Sequence, residues 1–453
     1  MEQVSKTSHL EKYADIFAHV RRGRMIAGGA VAIILMYIGF ALSLFDLPGV
    51  MRRWDPNRAA LFAVDLIAYK NHVNYSWEDP NFVQVRFEGS SFYTYDEPPG
   101  WVGQGRDNSS SRVTFTDGSF VEKQADRVII EGFGEGLDQF EVAIDEKKKP
   151  YVVGYQDRLD ALPDWIRVTE SKVEIRPSVF KRVQVYGRKI EIHRYEFGWA
   201  YFWFDFHSPL VGMNPLTAIN LLFSDTRVVT DRSNADLVWD EFVNNEMWLH
   251  GKVFFALLET LMMAILGTAF ASFLGLPLAF LAAKNVAPFA WLRFVSRRTF
   301  DLFRGIDMLI WSLIFLRAFG PGLFTGIFAI GLTDTGTLGK LMSEAIENAN
   351  KKDVEGVRAT GASRLQQHRF GIIPQILPVF ISQSLYYFES NTRSAVIIGA
   401  MGAGGIGTLF LSALQTGSDF ENVAYLSLLV LILVIIIDAI SGYLRRALIK
   451  YDH

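Results

Sequence analysis

The sequence predicts a mainly α-helical polytopic membrane protein, with six transmembrane helices and a β-rich extracytoplasmic insert between helices one and two. Half of the 453 residues are apolar. Several apolar runs reach the roughly 20 residues that a helix needs to cross a bilayer core. The roughly 200 residues between the first two runs instead contain several short segments in which apolar and polar side chains alternate with a period of two, which is typical of β-strands.

The predicted spans follow from the apolar runs in chain order. They are residues 25–45, 260–283, 302–319, 323–342, 378–399 and 423–444. The Gly-Pro-Gly turn at 320–322 separates the third span from the fourth. The first run is longer than the apolar part of a signal peptide, and no small-x-small cleavage site follows it, so a retained anchor is expected. The alternative for any single run is a helix buried in a soluble core.

The distribution of Lys and Arg predicts the orientation of the spans. Basic clusters precede span one, follow span six, and lie between spans two and three and between spans four and five. With six spans, all four clusters fall on one side, which is therefore expected to be cytoplasmic together with both termini. The loop 402–422 has no Lys or Arg and is expected outside. Arg52, Arg53 and Arg58 conflict with this orientation, but long loops translocate largely regardless of charge.

Four parts are predicted along the chain. They are a cytoplasmic segment (1–24), transmembrane helix one (25–46), the extracytoplasmic insert (47–251) and a membrane domain (252–453), which holds helices two to six and a cytoplasmic loop at 343–377. Within the insert, strands are predicted at 82–87, 127–131, 140–144, 165–169, 172–176, 182–185 and 190–193, with a hairpin turn at 186–188. We therefore expect a small β-rich domain over about residues 65–205.

Composition and missing motifs exclude several functions. The absence of Cys excludes disulfides, Cys-ligated metals and a cysteine nucleophile, and a formal charge of −3 argues against nucleic-acid binding. No phosphate-binding loop motif occurs, so any ATP used would be bound by another chain. No metal-ligand spacing or nucleophile elbow occurs either. No catalytic residue, metal or cofactor is therefore predicted.

A glycine-rich segment follows the fifth span. Gly402, Gly404, Gly405 and Gly407 lie in a stretch that matches G-x-G-x-x-G, the pattern of a dinucleotide site. No strand–turn–helix unit surrounds the match. Because glycines allow backbones to approach closely in membranes, a gate or packing loop is the preferred interpretation.

Polar residues inside the fifth span are the second candidate site. An isolated charge at the bilayer centre costs at least about 2.5–3.5 kcal/mol on insertion scales, so such residues face a partner, a cavity or a pathway. Glu389 and Arg393 are four residues apart and share a helix face, and Asn391 adds a polar group. Two interpretations stay open. The residues form a substrate pathway in which Arg393 faces an anion, or the charged pair only locks helix packing.

The loop between spans four and five carries the most specific pattern. It reads EGVRATGASR from Glu355 and then GIIP from Gly371. This resembles the EAA motif of ABC-importer permeases, in which Glu-Ala-Ala is followed by a spaced Gly and by Ile-x-Leu-Pro. Glu355, Gly361 and Pro374 match, whereas Gly356 and Val357 replace the two alanines, and the residues at 371 and 373 also depart. A short helix, about 354–359, that ends at a glycine could dock in a groove of a partner, or could be an ordinary loop helix.

Further segments resemble the phosphonate-type branch of this family. They are 257–261, 267–268, 338–341, 359–363, 387–393 and 402–407, and the resemblance covers about residues 250–450 plus the first span. The insert is outside it. At 306–308 the sequence reads Ile-Asp-Met where the family tends to have Ile-Pro-Glu, which weakens the substrate assignment more than the transporter assignment.

The resemblance implies a function, partners and site residues. It implies a permease homodimer in the bacterial inner membrane, two cytoplasmic ATP-binding cassette subunits, and a periplasmic binding protein that delivers phosphonate, phosphite or phosphate. The permease itself would catalyse no covalent reaction. The residues expected to couple it to the ATPase are Glu355, Gly356, Val357, Ala359, Gly361 and Pro374.

A membrane-anchored sensor is the competing interpretation. Its outer β domain would bind a ligand and signal inward. The insert favours this hypothesis, whereas the motif loop and the even number of spans favour the transporter. The sequence contains no cytoplasmic output domain, which weighs against a sensor.

Overall fold

The computed structural model describes residues 2–54, 56–79, 82–88, 92–105, 110–134, 137–416 and 419–449. The chain divides into two compact units, residues 1–62 and 63–453. The first unit contains α1 (Glu2–Leu44), α2 (Leu47–Arg53) and the start of α3 (Pro56–Asp65). Residues 19–52 are long and apolar enough to cross a membrane. The predicted first span, 25–45, therefore lies in α1 up to the end of that helix at Leu44.

The second unit opens with a β region. Its strands in the described residues are β1 (Ala68–Ser76), β2 (Val83–Glu88), β3 (Phe92–Thr94), β4 (Val102–Gln104), β5 (Ser111–Thr114), β6 (Phe120–Lys123), β7 (Arg127–Glu131), β8 (Gln139–Ile144), β9 (Pro150–Val152), β10 (Ile166–Val168), β11 (Lys172–Ser178), β12 (Lys181–Tyr186) and β13 (Lys189–Phe197). They form two antiparallel sheets, ordered β10-β11-β12-β13-β1-β2-β3 and β4 to β9. The prediction of a β-rich region is confirmed.

The two sheets of the β region share one hydrophobic core. Val73 and Val85 from the first sheet pack in the same cluster as Val121 and Ile130 from the second, and all four are buried. The first and last strands are neighbours, because β1 pairs with β13 from Ala68↔Phe197 to Ser76↔Lys189. The chain thus enters and leaves this region at adjacent points.

Helices make up the remainder of the second unit. They are α4 (Pro215–Leu222), α5 (Asn234–Val243), α6 (His250–Ala282), α7 (Ala290–Gly305), α8 (Met308–Phe319), α9 (Leu323–Glu347), α10 (Lys351–Ala359), α11 (Arg364–Gln367), α12 (Ile373–Ile398), α13 (Ile406–Thr416) and α14 (Phe420–Ile449). Glycines on α9 allow close helix packing: a Cβ at Gly331 would overlap the Phe270 ring of α6, and one at Gly339 would overlap the Phe300 ring of α7.

The predicted number of six spans is not confirmed. In the described part of the chain, three helices are long and apolar enough to cross a membrane, or four if the bent pair 364–403 and 406–416 counts as one span. The predicted third span, 302–319, is broken. Helix α7 ends at Gly305, and Asp307 caps α8 by accepting a hydrogen bond from the Leu309 N–H at 2.8 Å. This capping carboxylate starts a new helix of only 12 residues.

Candidate functional site

The motif loop forms a short helix with well-defined ends. Helix α10 starts after Asn350, whose side chain accepts a hydrogen bond from the Lys352 N–H at 3.1 Å. Its last residue is Ala359, and Gly361 follows with φ +82°, where it donates its N–H to the Arg358 carbonyl at 3.0 Å. Only glycine adopts this left-handed conformation at little cost. The sequence-based helix and its glycine end agree with the structure.

Helix α10 leaves one face exposed. Val354 and Val357 are half-buried, and the Val354 side chain packs against the backbone at Gly371. Glu355, Gly356, Arg358, Ala359 and Gly361 are exposed. Of the six predicted coupling residues, four therefore share one open surface, while Val357 turns inward and Pro374 lies in the first turn of α12.

The structure brings Glu389 and Arg393 together and adds a second arginine. The Arg393 guanidinium lies 3.6 Å from one carboxylate oxygen of Glu389, and that of Arg445 on α14 lies 3.4 Å from the other. The Glu389 side chain is only 11% exposed, whereas that of Arg393 is 53% exposed. Glu389 thus joins α12 to α14 and leaves one face of Arg393 open.

Asn391 lies on a different face of α12. Its buried amide donates to Asp334 on α9 at 2.6 Å and to Thr268 on α6 at 2.9 Å. The predicted trio of polar residues is therefore split between two places. Sequence reasoning missed Asp334 and Thr268. The available signal was an ionisable residue inside the apolar run 323–342, since such residues rarely face lipid.

The glycine-rich segment is a tightly packed break between α12 and α13. Gly402, Gly404 and Gly405 have φ values of +106°, +94° and +72°, and the chain bends by 63°. A Cβ at Gly407 would overlap the carbonyl oxygen of Val396. Since helices flank the segment on both sides, it lacks the strand that precedes a dinucleotide loop.

Side chains of α6 hold this break in place. The Gly405 N–H donates to the Glu259 carboxylate at 3.0 Å, and the Ile406 N–H donates to the Thr260 hydroxyl at 2.9 Å. These N–H groups belong to the first residue of α13 and to the residue before it, where the helix itself supplies no acceptor. The sequence analysis did not predict the contact of Glu259 with this break.

The β region contains a cavity of about 350 Å³ next to its last strand. Most of its lining is aromatic, and the Tyr95 hydroxyl donates to Asn71 at 3.0 Å within it. If the β region bound a ligand, as the sensor hypothesis requires, this cavity would be the site.

Elsewhere in the β region, burial next to His72 lowers the pKa of His193 to about 2. Among the described residues, no group of three or more His, Asp or Glu side chains could hold a metal ion.

Comparison with known proteins identifies the family. Residues 275–450 match the family described as "Binding-protein-dependent transport system inner membrane component". The phosphite transport system permease protein PtxC of Stutzerimonas stutzeri is 38% identical over 190 residues, which are 42% of this chain and 69% of PtxC. The chain belongs to this family. It is thus a multi-pass membrane permease of the phosphonate type.

Other relatives of the permease are named for different phosphorus compounds. The phosphate-import permease protein PhnE of Mycolicibacterium smegmatis is 34% identical over 191 residues, which are 42% of this chain and 36% of that protein. The cryptic phosphonate transport system permease protein PhnE2 of Escherichia coli K12 is 43% identical over 120 residues, which are 26% of this chain and 98% of that protein. A second such protein of that strain, PhnE1, is also similar. The β region precedes the family match.

The break after α12 should not tolerate a single methyl group. In the permease, Gly407→Ala is expected to lower the free energy of unfolding by about 1–3 kcal/mol, because the new Cβ overlaps backbone atoms of Val396 and Ala400. Gly442→Ala in α14 is the matched control, since no atom lies within 4 Å of its Cβ position. Thermal unfolding in detergent measures both. Equal melting temperatures for the two variants would contradict the packing described here.

Proposed function

We propose that the permease forms the membrane pathway of an ATP-binding cassette importer for phosphonate or a related phosphorus oxyanion, phosphite or phosphate. The observation that carries the proposal is the similarity to relatives named for transport of these three compounds. A periplasmic binding protein would deliver the anion, and a separate cytoplasmic subunit would hydrolyse ATP. The permease would catalyse no covalent reaction.

The exposed face of α10 is the proposed docking site for the ATPase subunit. Glu355, Gly356, Ala359 and Gly361 are solvent-exposed on a helix that is fixed from behind by Val354 and Val357. A short helix held in this way can enter a groove of a partner. The fixed ends of α10 would transmit movement of the partner to α12, which begins near Pro374.

Arg393 is the proposed contact for the anion inside the membrane. Its guanidinium is half-exposed, and a planar guanidinium binds oxyanions through two parallel hydrogen bonds. Glu389 would not be left without a cation when Arg393 turns to the substrate, because Arg445 remains 3.4 Å away. Arg445 therefore lowers the free-energy cost when Arg393 leaves Glu389 to bind the anion.

The proposed assembly contains a pair of permease chains. The similarity to known permeases does not support the homodimer that was expected from the sequence. PhnE1 and PhnE2 come from the same strain of Escherichia coli, so a pair of two different permease chains is the alternative. Co-expression of two differently tagged copies tests the point. Copurification of both tags supports a homodimer, and a related permease copurifying instead supports a mixed pair.

The proposed topology places the insert 47–251 outside and the loop 343–377 in the cytoplasm. We expect a cysteine at Ser171, exposed in the turn between β10 and β11, to react with an impermeant maleimide in intact spheroplasts. A cysteine at Lys352, exposed on α10, should react only after lysis. The native chain has no Cys to interfere. The reverse labelling pattern would invert the topology.

Stimulation of ATP hydrolysis tests the proposed function. The permease, its ATPase subunit and the binding protein are combined in liposomes, and hydrolysis is measured with phosphonate, phosphite, phosphate or sulfate. We expect at least one phosphorus oxyanion to stimulate hydrolysis and sulfate to have no effect. An assembled complex that responds to none of the phosphorus oxyanions would overturn the proposal.

A further inference from the structure

The hairpin of α4 and α5 exposes an apolar surface that a water-soluble insert would not carry. Phe223 at the end of α4 is 85% exposed and Trp239 on α5 is 70% exposed, and Leu216 is also exposed. A groove of about 490 Å³ runs between the two helices, lined by Ile219, Leu222 and other apolar side chains with no charged residue among them. Contiguous exposed apolar surface of this kind marks a contact with a partner or a membrane.

The position of the groove relative to the membrane helices indicates its occupant. Phe242, which lines the groove, stacks face to face on His250 with ring centroids 4.2 Å apart. His250 is the first residue of α6, and its ring also bonds the Tyr425 hydroxyl of α14 at 2.8 Å. Both α6 and α14 are long and apolar enough to cross a membrane. The groove therefore lies where two spans begin.

Further large apolar side chains are exposed at the start of the span that follows the hairpin. Phe254 and Phe255 lie one turn into α6, a helix long and apolar enough to cross a membrane. The charged residues of the hairpin do not line the groove. Asp225, Arg227 and Asp231 are exposed in the connecting loop. Asp236, Asp240 and Glu241 lie on α5 outside the groove, and Asp240 pairs with Arg232 at 2.7 Å. An amphipathic element with an exposed tryptophan at the start of a span is typical of the membrane–water interface.

We propose that the α4–α5 hairpin lies in the interface of the bilayer at the end where α6 begins, with lipid acyl chains in its groove. The membrane domain, predicted from the sequence to start at residue 252, then starts near Pro215. The hairpin lies directly between the β region and α6 in the sequence, so it anchors that region at the membrane surface. This inference does not depend on the identity of the transported anion.

Fluorescent labels at single cysteines test the proposal in the full-length protein. The native chain has no Cys, so Ile219→Cys in the groove, Leu216→Cys beside it and Asp225→Cys in the loop each accept one environment-sensitive fluorophore. The labelled proteins are reconstituted into phosphatidylcholine–phosphatidylglycerol vesicles with spin-labelled lipid. We expect this lipid to quench the fluorophores at 216 and 219 by at least about half, and to leave that at 225 largely unquenched. Aqueous iodide should show the opposite order.

Two results would overturn the proposal. Quenching by iodide at 219 equal to that at 225 would place the groove in water. Protection from both quenchers at 219, with cross-linking of two chains through the cysteine introduced at that position, would make the groove an interface between copies. The second labelled position, 216, keeps the test valid if the cysteine at 219 disturbs the groove.

Discussion

Gly361→Val is expected to reduce uptake at least about tenfold while the permease still inserts into the membrane. Gly361 ends α10 with φ +82° and donates its N–H to the Arg358 carbonyl at 3.0 Å. A side chain in this left-handed conformation costs roughly 1–2 kcal/mol, and more when it is β-branched, so the end of the helix would unwind or shift. No other atom lies within 4 Å of the Cβ position, so the effect is one of backbone conformation.

A second substitution at the same position separates conformation from side-chain size. Asn tolerates the left-handed conformation better than other residues, and Gly361→Asn has the same open space around it. We therefore expect near-normal uptake for Asn and a loss for Val. ATP hydrolysis that no longer responds to loaded binding protein would locate the defect in coupling. Equal uptake by Gly361→Val and the native permease would remove α10 from the coupling mechanism.

Arg393→Lys is expected to reduce uptake about tenfold, equivalent to roughly 1.4 kcal/mol, with an unchanged amount of folded permease. Lys keeps the positive charge next to Glu389 but lacks the planar fork that binds two oxyanion oxygens at once. The half-exposed position of Arg393 makes this fork available to a substrate. Uptake of labelled phosphite or phosphonate into vesicles, with the permease quantified by gel filtration, measures both quantities.

Arg445→Lys is the matched control for this prediction. Arg445 pairs with the other oxygen of the same carboxylate at 3.4 Å, so the same change tests the role of the pair in packing. A pathway role predicts that the change at 393 lowers uptake much more than the change at 445. A packing role predicts a similar loss of folded permease and of uptake for both variants, and that outcome would remove Arg393 from the pathway.

Local sequence patterns predicted the elements whose signal is contained in a few neighbouring residues. The alternating segment 127–131 is β7, the hairpin turn at 186–188 joins β12 to β13, and the helix before Gly361 ends as expected. Strand β1 was missed because polar residues occupy both of its faces, Lys70 and His72 on one and Asn71 on the other, so it shows little apolar alternation. The break before α8 depends on a single capping residue, Asp307, inside an otherwise helical pattern.

Only the part of the candidate site that lies within a single helix could be predicted from the sequence. The pairing of Glu389 with Arg393 follows from a spacing of four on one helix, which is visible in the sequence. The partners Arg445 and Asp334 lie on other helices, 56 and 57 residues away from Glu389 and Asn391. Which of these residues come into contact depends on how α12 packs against α14 and α9. No local pattern encodes that packing, so Asn391 was placed with Arg393 although it faces Asp334.

Accumulation of the anion inside vesicles shows directly whether the permease forms the pathway of an importer. The permease and its ATPase subunit are reconstituted with ATP inside, and labelled phosphonate, phosphite or phosphate is added outside with the binding protein. We expect at least one of these anions to accumulate above its external concentration. Accumulation should require ATP and fall at least about tenfold in Gly361→Val. A correctly assembled complex that hydrolyses ATP but accumulates none of the three anions would show that the permease is not an importer of these compounds.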